Sequence, residues 1–187
     1  MFREAEAARD GAMQDRPERE IVAAAQAGDR SAAGELVRRH HRRAIALAWR
    51  LLGHEHAALD AAQDAFVHAL ERLRDLRDPE RFWPWLARIV VNTCRTRQRR
   101  SGRRVAALSE ADLPAPAPES QGPDRRGGVA DAVARLPETQ REAVVLFHYH
   151  GLSQDEVAQA LGCTTGAVKA RLFAARQRLA KELEGLV

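Results

Sequence analysis

Apolar residues recur at helical spacing in two stretches of the chain, residues 17–105 and 129–187, and the first has no convincing strand pattern. The first stretch predicts four helices, at residues 20–27, 31–52, 57–76 and 79–100. The second predicts two helices split around Leu136-Pro137, followed by a helix-turn-helix. We therefore expect an all-α chain with two small helical domains.

The helix-turn-helix has the clearest local signals. Ser153 with Glu156 three residues later is the capping-box pattern, in which each side chain satisfies a backbone donor of the first turn. Gly162 supplies the left-handed residue that ends the first helix, and Thr164 or Thr165 caps the second. The second helix has an apolar stripe, formed by Val168, Leu172, Ala175 and Leu179. Two helices joined in this way are typical of motifs that enter the major groove of DNA.

The composition favours helices and is compatible with a polyanionic partner. Hydrophobic residues make up 45% of the chain and aromatic residues only 5%, so the cores must rely on alanine, leucine and valine. The net charge is only +4, yet the sequence pI is about 9.8 because arginine dominates the basic residues. Arginine pairs with phosphate in a bidentate fork. An arginine-rich surface also keeps proteins in solution, so composition alone leaves nucleic-acid binding open.

Residues 106–128 are expected to form a flexible linker between the two domains. Four of the eight prolines lie in this segment, which has little apolar periodicity. A flexible chain of this length spans ~25–30 Å on root-mean-square and up to ~70 Å when drawn out. Residues 1–16 are polar and alanine-rich, and we expect them to form a disordered N-terminal extension.

Several function classes are disfavoured by what the sequence contains. Cys94 and Cys163 have neither disulfide-framework nor metal-ligand spacing around them, and the seven histidines fall mostly in adjacent or alternate pairs that make poor chelators. There is no membrane-spanning apolar run and no secretory signal at the start, which predicts a cytoplasmic protein. No catalytic motif is found, and no metal or cofactor is expected.

The first candidate binding surface lies on the helix predicted at residues 57–76. Asp60, Gln63 and Asp64 are spaced three and four residues apart, which puts them on one helix face opposite the apolar stripe. Such a face could dock a partner protein. It could equally be a solvated face with acid near the helix N-terminus, where the helix dipole favours negative charge.

The second candidate surface is the acid-free run from Arg88 to Arg104, which contains seven arginines. Such a run binds nucleic acid by displacing counterions, and Asn92 within it can read base edges as donor and acceptor. Just upstream, Trp83 and Trp85 lie close together. We assign Trp85, one turn from a core position, to the core. For Trp83 both an exposed platform that stacks unpaired bases and a place in the core stay open.

The third candidate surface is the second helix of the helix-turn-helix. Its exposed N-terminal part would contact bases, through Thr164, Thr165, Gly166, Lys169 and Ala170. Later basic residues are better placed for phosphates, namely Arg171, Arg176 and Arg178. Lys169, Phe173 and Arg176 share one face away from the apolar stripe. Some helix-turn-helix motifs are purely structural, so this motif alone does not decide the function.

In this order, and separated by a proline-rich linker, the three surfaces resemble those of the extracytoplasmic-function (ECF) group of bacterial RNA polymerase sigma factors, in the sigma-70 family. The matching stretches are residues 60–66, 82–92 and 136–183. The resemblance implies a sigma-2 domain over residues 17–105 and a sigma-4 domain over residues 129–187. It also implies a promoter-specificity subunit without an active site of its own, because the polymerase core performs the chemistry.

The resemblance assigns a partner to each surface. Asp60, Gln63 and Asp64 would dock on the clamp helices of the polymerase beta-prime subunit, which replaces the solvated-face interpretation. Contacts with the melted minus-10 element are implied for Trp83, Arg88, Asn92, Arg95, Thr96 and Arg99. Contacts with the duplex minus-35 element are implied for Thr164, Thr165, Gly166, Lys169, Arg171, Phe173 and Arg176, in a domain that also sits on the beta flap. An anti-sigma factor would occlude these surfaces.

The two promoter elements set a length that the chain must span. Seventeen or so base pairs at ~3.4 Å each separate them by ~55–60 Å, which the linker can bridge when mostly extended. Ala170 and Phe173 depart from the polar residues that the family often has there, so the preferred bases are not predicted. Two alternatives remain: a helix-turn-helix regulator that acts without being a polymerase subunit, and an adaptor that only docks proteins.

Overall fold

The computed structural model describes residues 16–108 and 128–184, with side chains described for 16–100 and 128–184. It contains eight α-helices within these ranges: α1 (Glu18–Gln26), α2 (Arg30–Leu52), α3 (Glu55–Glu71), α4 (Phe82–Leu108), α5 (Val129–Arg135), α6 (Glu138–Val144), α7 (Gln154–Leu161) and α8 (Thr165–Glu184). No strand occurs in the described ranges. The predicted all-α class is confirmed. Most of the predicted N-terminal extension and linker lies outside the described residues.

Helices α1 to α4 pack into the first bundle around the long helix α2. Asp29 caps α2 by accepting hydrogen bonds from the backbone N–H groups of Ser31 (2.8 Å) and Ala32 (3.2 Å). Gly53, with a φ of 76°, ends the helix in the left-handed conformation. The core between the four helices is fully buried and mostly aliphatic, with Ile21, Leu36, Leu47, Ala62, Leu86 and Val90 among its members.

The connection between α3 and α4 differs from the prediction. The helix expected to run to residue 76 ends at Glu71 and is followed by a 3-10 turn over Leu73–Asp75. The side-chain amide of Gln26 donates to the carbonyl oxygens of Leu73 (2.9 Å) and Leu76 (2.8 Å), which draws this segment onto α1. Asp78, the expected cap of a long helix, instead caps a second 3-10 turn over Pro79–Arg81, and α4 begins only at Phe82.

Helix α4 is also longer than expected at its other end. It continues to Leu108, past the predicted end near residue 100 and three residues into the segment predicted as linker. The first proline of the predicted linker is Pro114. No proline therefore interrupts the helical hydrogen bonding at residue 106, where the linker was predicted to start.

Helices α5 to α8 form the second bundle, and its local signals are confirmed. The backbone N–H of Ser153 donates to Glu156 Oε2 (2.8 Å), and that of Glu156 donates to Ser153 Oγ (3.3 Å), which completes the capping box of α7. Gly162 ends α7 with a φ of 65°. Thr164 caps α8 through its hydroxyl oxygen, which accepts from Ala167 N–H (3.2 Å). The stripe of α8 is buried as predicted at Val168, Leu172 and Ala175, and Leu179 is half-buried.

One element of the second bundle was not predicted. A π-helical turn over Val145–Tyr149 follows α6 directly and ends at His150. Within the described residues no helix is long and apolar enough to cross a membrane. The same ranges contain no group of three or more histidine, cysteine or acidic residues that could hold a metal ion.

Candidate nucleic-acid interface

Helix α4 carries an exposed polar stripe opposite its buried face. Arg88, Asn92, Thr96 and Arg99 are all exposed and lie four, four and three residues apart, which aligns them on one side of the helix. The Thr96 hydroxyl donates to the carbonyl oxygen of Asn92 (2.9 Å), so it is held against the helix backbone. The amide of Asn92 and the two guanidinium groups are thus presented together to a ligand in solvent.

Trp83 does not belong to this stripe. It is 6% exposed and stacks on the His40 ring at a centroid distance of 5.8 Å. The Arg43 guanidinium lies 4.0 Å from its ring centroid, and His150 of the second bundle packs against it at 5.5 Å. The interpretation of Trp83 as an exposed stacking platform is therefore wrong for this conformation. Trp85, which was assigned to the core, packs against the core and is partly buried there.

The start of α4 explains the positions of both tryptophans. Because α4 begins at Phe82 after the 3-10 turn, its first turn is oriented with Phe82 and Trp83 toward α2. Phe82 is 1% exposed and contacts the rings of both His40 (4.9 Å) and Trp85 (6.0 Å). Trp85 lies over the edge of this cluster.

Arg95 is half-buried and points away from the exposed stripe. Its Nε and Nη2 donate to the two carboxylate oxygens of Glu142 on α6, at 2.6 and 2.7 Å. A third, longer hydrogen bond runs from Nη1 to the carbonyl oxygen of Leu161 (3.4 Å). The bidentate bond to Glu142 raises the pKa of Arg95. This predicted minus-10 ligand is thus engaged by the second bundle.

The acidic residues on α3 lie together, as the spacing predicted. Gln63 and Asp60 are exposed and Asp64 is half-buried. Arg97 of α4 reaches them: its Nη1 lies 3.3 Å from Asp60 Oδ2, and its Nε donates to Asp64 Oδ2 at 3.1 Å. These carboxylates raise the pKa of Arg97. One arginine of the basic run therefore belongs to the acidic surface rather than to the nucleic-acid surface.

The outer face of α8 is open to solvent. Lys169, Ala170 and Arg176 are exposed, as are Thr164 and Gly166 at its start. Phe173 is 63% exposed and lies on the same face as Lys169 and Arg176.

Two of the residues near the start of α8 that were predicted to contact the minus-35 DNA are less accessible to solvent than the others. Arg171 is half-buried. Thr165 is half-buried too, and its hydroxyl donates to Asp155 Oδ1 of α7 (2.7 Å), which fixes the angle between the two helices of the motif.

Comparison with known proteins shows similarity in the sequences of both helical bundles. The family profile of sigma-70 region 2 matches residues 36–104, and that of sigma-70 region 4 matches residues 126–179. The chain is 38% identical over 173 residues to the ECF RNA polymerase sigma factor SigM of Mycobacterium tuberculosis H37Rv, covering 92% of this chain and 88% of that protein. The chain belongs to the ECF group of the sigma-70 family. It is a sigma factor of RNA polymerase.

Other relatives and structures extend the similarity over nearly the whole chain. The RNA polymerase sigma-H factor of Pseudomonas aeruginosa is 29% identical, covering 91% of this chain and 95% of that protein. The structure of CnrH in complex with the cytosolic domain of CnrY is 35% identical, with a TM-score of 0.65 over 90% of this chain and 97% of that one. RpoE in complex with the anti-sigma factor NepR from Bartonella quintana is 25% identical, with a TM-score of 0.68 over 81% and 96%.

Sequence reasoning missed the contact between the two bundles of this sigma factor. The backbone carbonyl of His150 accepts a hydrogen bond from Arg43 of α2. The guanidinium group of Arg50 lies over the ring of Tyr149, with its carbon 3.8 Å from the ring centroid. Both residues close the π-helical turn, and neither stands in a motif that the sequence marks, so only the three-dimensional packing brings them into view.

His150 makes the stability of the sigma factor depend on pH. Burial, with the nearby charges of Arg43 and Arg50, lowers the pKa of His150 from 6.5 to about 4. A histidine with a lowered pKa in the folded state stabilises the fold in its neutral form, and that contribution is lost as the pH falls from 6.5 toward 4. We expect the loss to reach about 3 kcal/mol.

The measurement compares the free energy of unfolding of the wild type and of His150→Asn between pH 7 and pH 4. Other titrating groups are shared by both proteins and cancel in the difference. The variant is expected to lose less stability over this range. Parallel curves for the two proteins would show that His150 is not responsible.

Proposed function

We propose that this sigma factor directs core RNA polymerase to promoters by contacting both the minus-10 and the minus-35 elements. The observation that carries the proposal is the presence of two exposed cationic faces on separate bundles. One consists of Arg88, Asn92, Thr96 and Arg99 in region 2. The other lies on α8 in region 4 and includes Lys169 and Arg176.

The two faces suit different forms of DNA. Helix α8 is the second helix of the helix-turn-helix, and its N-terminal end, capped at Thr164, can enter the major groove of the duplex minus-35 element. Phe173 offers apolar contact, which matches a thymine methyl group. The stripe on α4 combines an amide with cations, which can hold both the base edges and the phosphates of the melted minus-10 strand.

The acidic surface of Asp60, Gln63 and Asp64 supports binding to the beta-prime clamp helices of core polymerase. The carboxylates lie on the outer side of α3, and Gln63 beside them adds an amide donor and acceptor. Arg97 pairs with both carboxylates and limits their mutual repulsion while the protein is free. Region 4 would in addition contact the beta flap.

An anti-sigma factor is proposed as a further partner. The structures of CnrH and RpoE named above each contain a second protein, CnrY and the anti-sigma factor NepR. Similarity to both chains over most of their length supports an equivalent partner for this one. Binding to core polymerase places the site of action in the cytoplasm, and the reaction itself belongs to the core, so the chain is proposed to have no enzymatic activity.

Run-off transcription with purified core polymerase on fragmented genomic DNA tests the proposal. Addition of the chain is expected to create start sites that core alone does not use. A helix-turn-helix regulator would instead bind duplex DNA tightly by itself and gain nothing from core polymerase. An adaptor that only docks proteins would not bind DNA and would create no start sites. The absence of new start sites would refute the proposal.

A further inference from the structure

Arg97 lies on a different side of α4 from the exposed polar stripe. It follows Arg88 by nine residues, about two and a half helical turns, so the two side chains leave the helix in opposite directions. Arg97 instead continues the core-facing row of Val90 and Cys94, which are 0% and 1% exposed. Cys94 is the last buried residue of α4 among those whose side chains are described. A cation at the next position of a core-facing row requires a partner of opposite charge.

The partner of Arg97 is the pair of carboxylates on α3. Its Nε donates to Asp64 Oδ2 (3.1 Å), its Nη2 donates to the same oxygen, and its Nη1 donates to Asp60 Oδ2 (3.3 Å). One planar guanidinium group therefore joins two carboxylates that lie four residues apart on the same helix. Without this bridge, two like charges at that spacing would repel each other.

The bridge uses one oxygen of each carboxylate. The hydrogen bonds from Arg97 all end on Oδ2 atoms, and neither Oδ1 atom of the two aspartates accepts a hydrogen bond from another described residue. Both aspartate side chains reach the solvent, and Gln63 is exposed beside them. The bridge thus fixes the orientation of both carboxylates and leaves the second oxygen of each for the N–H groups of a partner protein.

The backbone that carries Arg97 is held on both sides. Cys94, one turn earlier, is packed in the core of the first bundle. The side-chain amide of Gln98, the next residue, donates to the carbonyl oxygen of Leu51 on α2 (3.3 Å). The orientation of the two carboxylates is therefore set before a partner arrives. Side chains that are ordered in advance lose less rotational freedom when a complex forms, which increases affinity.

We propose that Arg97 is a positioning residue for core polymerase binding, which presents Asp60 and Asp64 in a fixed orientation and does not itself bind promoter DNA. The inference rests on the proposed function, in which this acidic surface docks on core polymerase. It separates one arginine from the basic run of α4, whose composition alone indicates nucleic-acid binding.

Two effects of Arg97 on core binding oppose each other. Its positive charge would repel a cationic partner surface of the kind that two carboxylates attract. Its bridge holds those carboxylates in the orientation that the partner meets. The repulsion acts over a distance and is screened beyond about 8 Å at physiological ionic strength, whereas the bridge acts through direct hydrogen bonds. We therefore expect the bridge to dominate and its removal to weaken core binding.

Titration of labelled core polymerase with the full-length chain, in the absence of DNA, tests this inference. Arg97→Gln is expected to weaken core binding by about three- to tenfold. Arg97→Lys keeps the charge but replaces the planar fork with a point charge, so it should also weaken core binding, by at least about twofold. Arg77→Gln removes the same charge at an exposed position between α3 and α4 and should bind core as the wild type does.

A double-mutant cycle with Asp64 shows whether the effect of Arg97 passes through the carboxylate. Asp64→Asn keeps the size of the side chain and removes the charge that Arg97 binds. In the Asp64→Asn background, Arg97→Gln should change core affinity by less than about twofold. Thermal melting of every variant verifies folding, and the melting temperature should change little because the ion pair is partly exposed.

The outcomes separate this inference from the proposed function. If replacement of Gln63 and Asp64 by alanine weakens core binding but Arg97→Gln binds as tightly as the wild type or more tightly, the positioning role is refuted and the docking face stands. If the Gln63/Asp64 replacement leaves core affinity unchanged, the docking face of the proposed function fails, and this inference fails with it.

Three other results would overturn the positioning role alone. Full core affinity in Arg97→Lys would show that charge is sufficient and that the bridge is not needed. Additive effects of Asp64→Asn and Arg97→Gln would show that Arg97 acts independently of that carboxylate. Unchanged core affinity of Arg97→Gln, together with loss of promoter melting by the assembled holoenzyme, would identify Arg97 as a DNA ligand instead.

Discussion

Replacement of both Arg88 and Asn92 by alanine is expected to reduce open-complex formation by about a hundredfold, at ~1–3 kcal/mol for each lost base contact. The two side chains are exposed on α4, one turn apart, and make no contact that the first bundle needs for its stability. The melting temperature should therefore change little. Permanganate footprinting of the melted promoter strand in the presence of core polymerase measures the effect directly.

A matched control for this variant is Arg74→Ala combined with Arg77→Ala. Both residues are exposed in the turns between α3 and α4 and lie off the proposed DNA face. They remove more positive charge than the test variant and should leave promoter melting nearly unchanged. Equal melting by the Arg88/Asn92 variant and the wild type would rule out this stripe as the minus-10 ligand.

Replacement of Gln63 and Asp64 by alanine is expected to weaken binding to core polymerase by about ten- to a hundredfold, at ~1.4 kcal/mol per factor of ten. Both side chains lie on the outer side of α3. The ion pair between Asp64 and Arg97 is partly exposed, with 49% of the Asp64 side chain and 31% of the Arg97 side chain accessible, so its loss should change folding stability only modestly. Titration of labelled core polymerase with each protein gives the affinities.

Glu71→Ala provides the control for that variant, since Glu71 is an exposed acid at the other end of α3. Its affinity for core should match the wild type. Unchanged affinity in the Gln63/Asp64 variant would count against this docking face, whereas loss of affinity in both variants would indicate a general charge effect. Asp60→Ala added to the pair should weaken binding further.

Local signals in the sequence were sufficient for much of this fold. The capping box of Ser153 and Glu156 and the left-handed Gly162 depend on interactions within a few residues, so their positions are readable from the chain alone. The stripe of α8 is likewise a matter of helical period, and its buried members were predicted. The acidic group on α3 was found for the same reason.

Distant contacts account for what the sequence did not predict. Helix α3 ends early where Gln26, 47 residues before Leu73, binds the carbonyl groups that follow it. Trp83 is buried by Arg43 and His150, and Arg95 is engaged by Glu142, again 47 residues away. Neither helical periodicity nor a local motif indicates such pairings. Trp83 and Arg95 were therefore predicted to contact DNA, although in this conformation both are engaged by other parts of the protein.

Run-off transcription by purified core polymerase with and without the chain, on the same genomic fragments, decides whether the chain directs the polymerase to promoters. We expect discrete new transcripts whose start sites lie downstream of a shared pair of elements, and we expect the Arg88/Asn92 variant to lose them. Transcripts identical to those of core polymerase alone, from a chain that is folded and present in excess, would contradict this expectation.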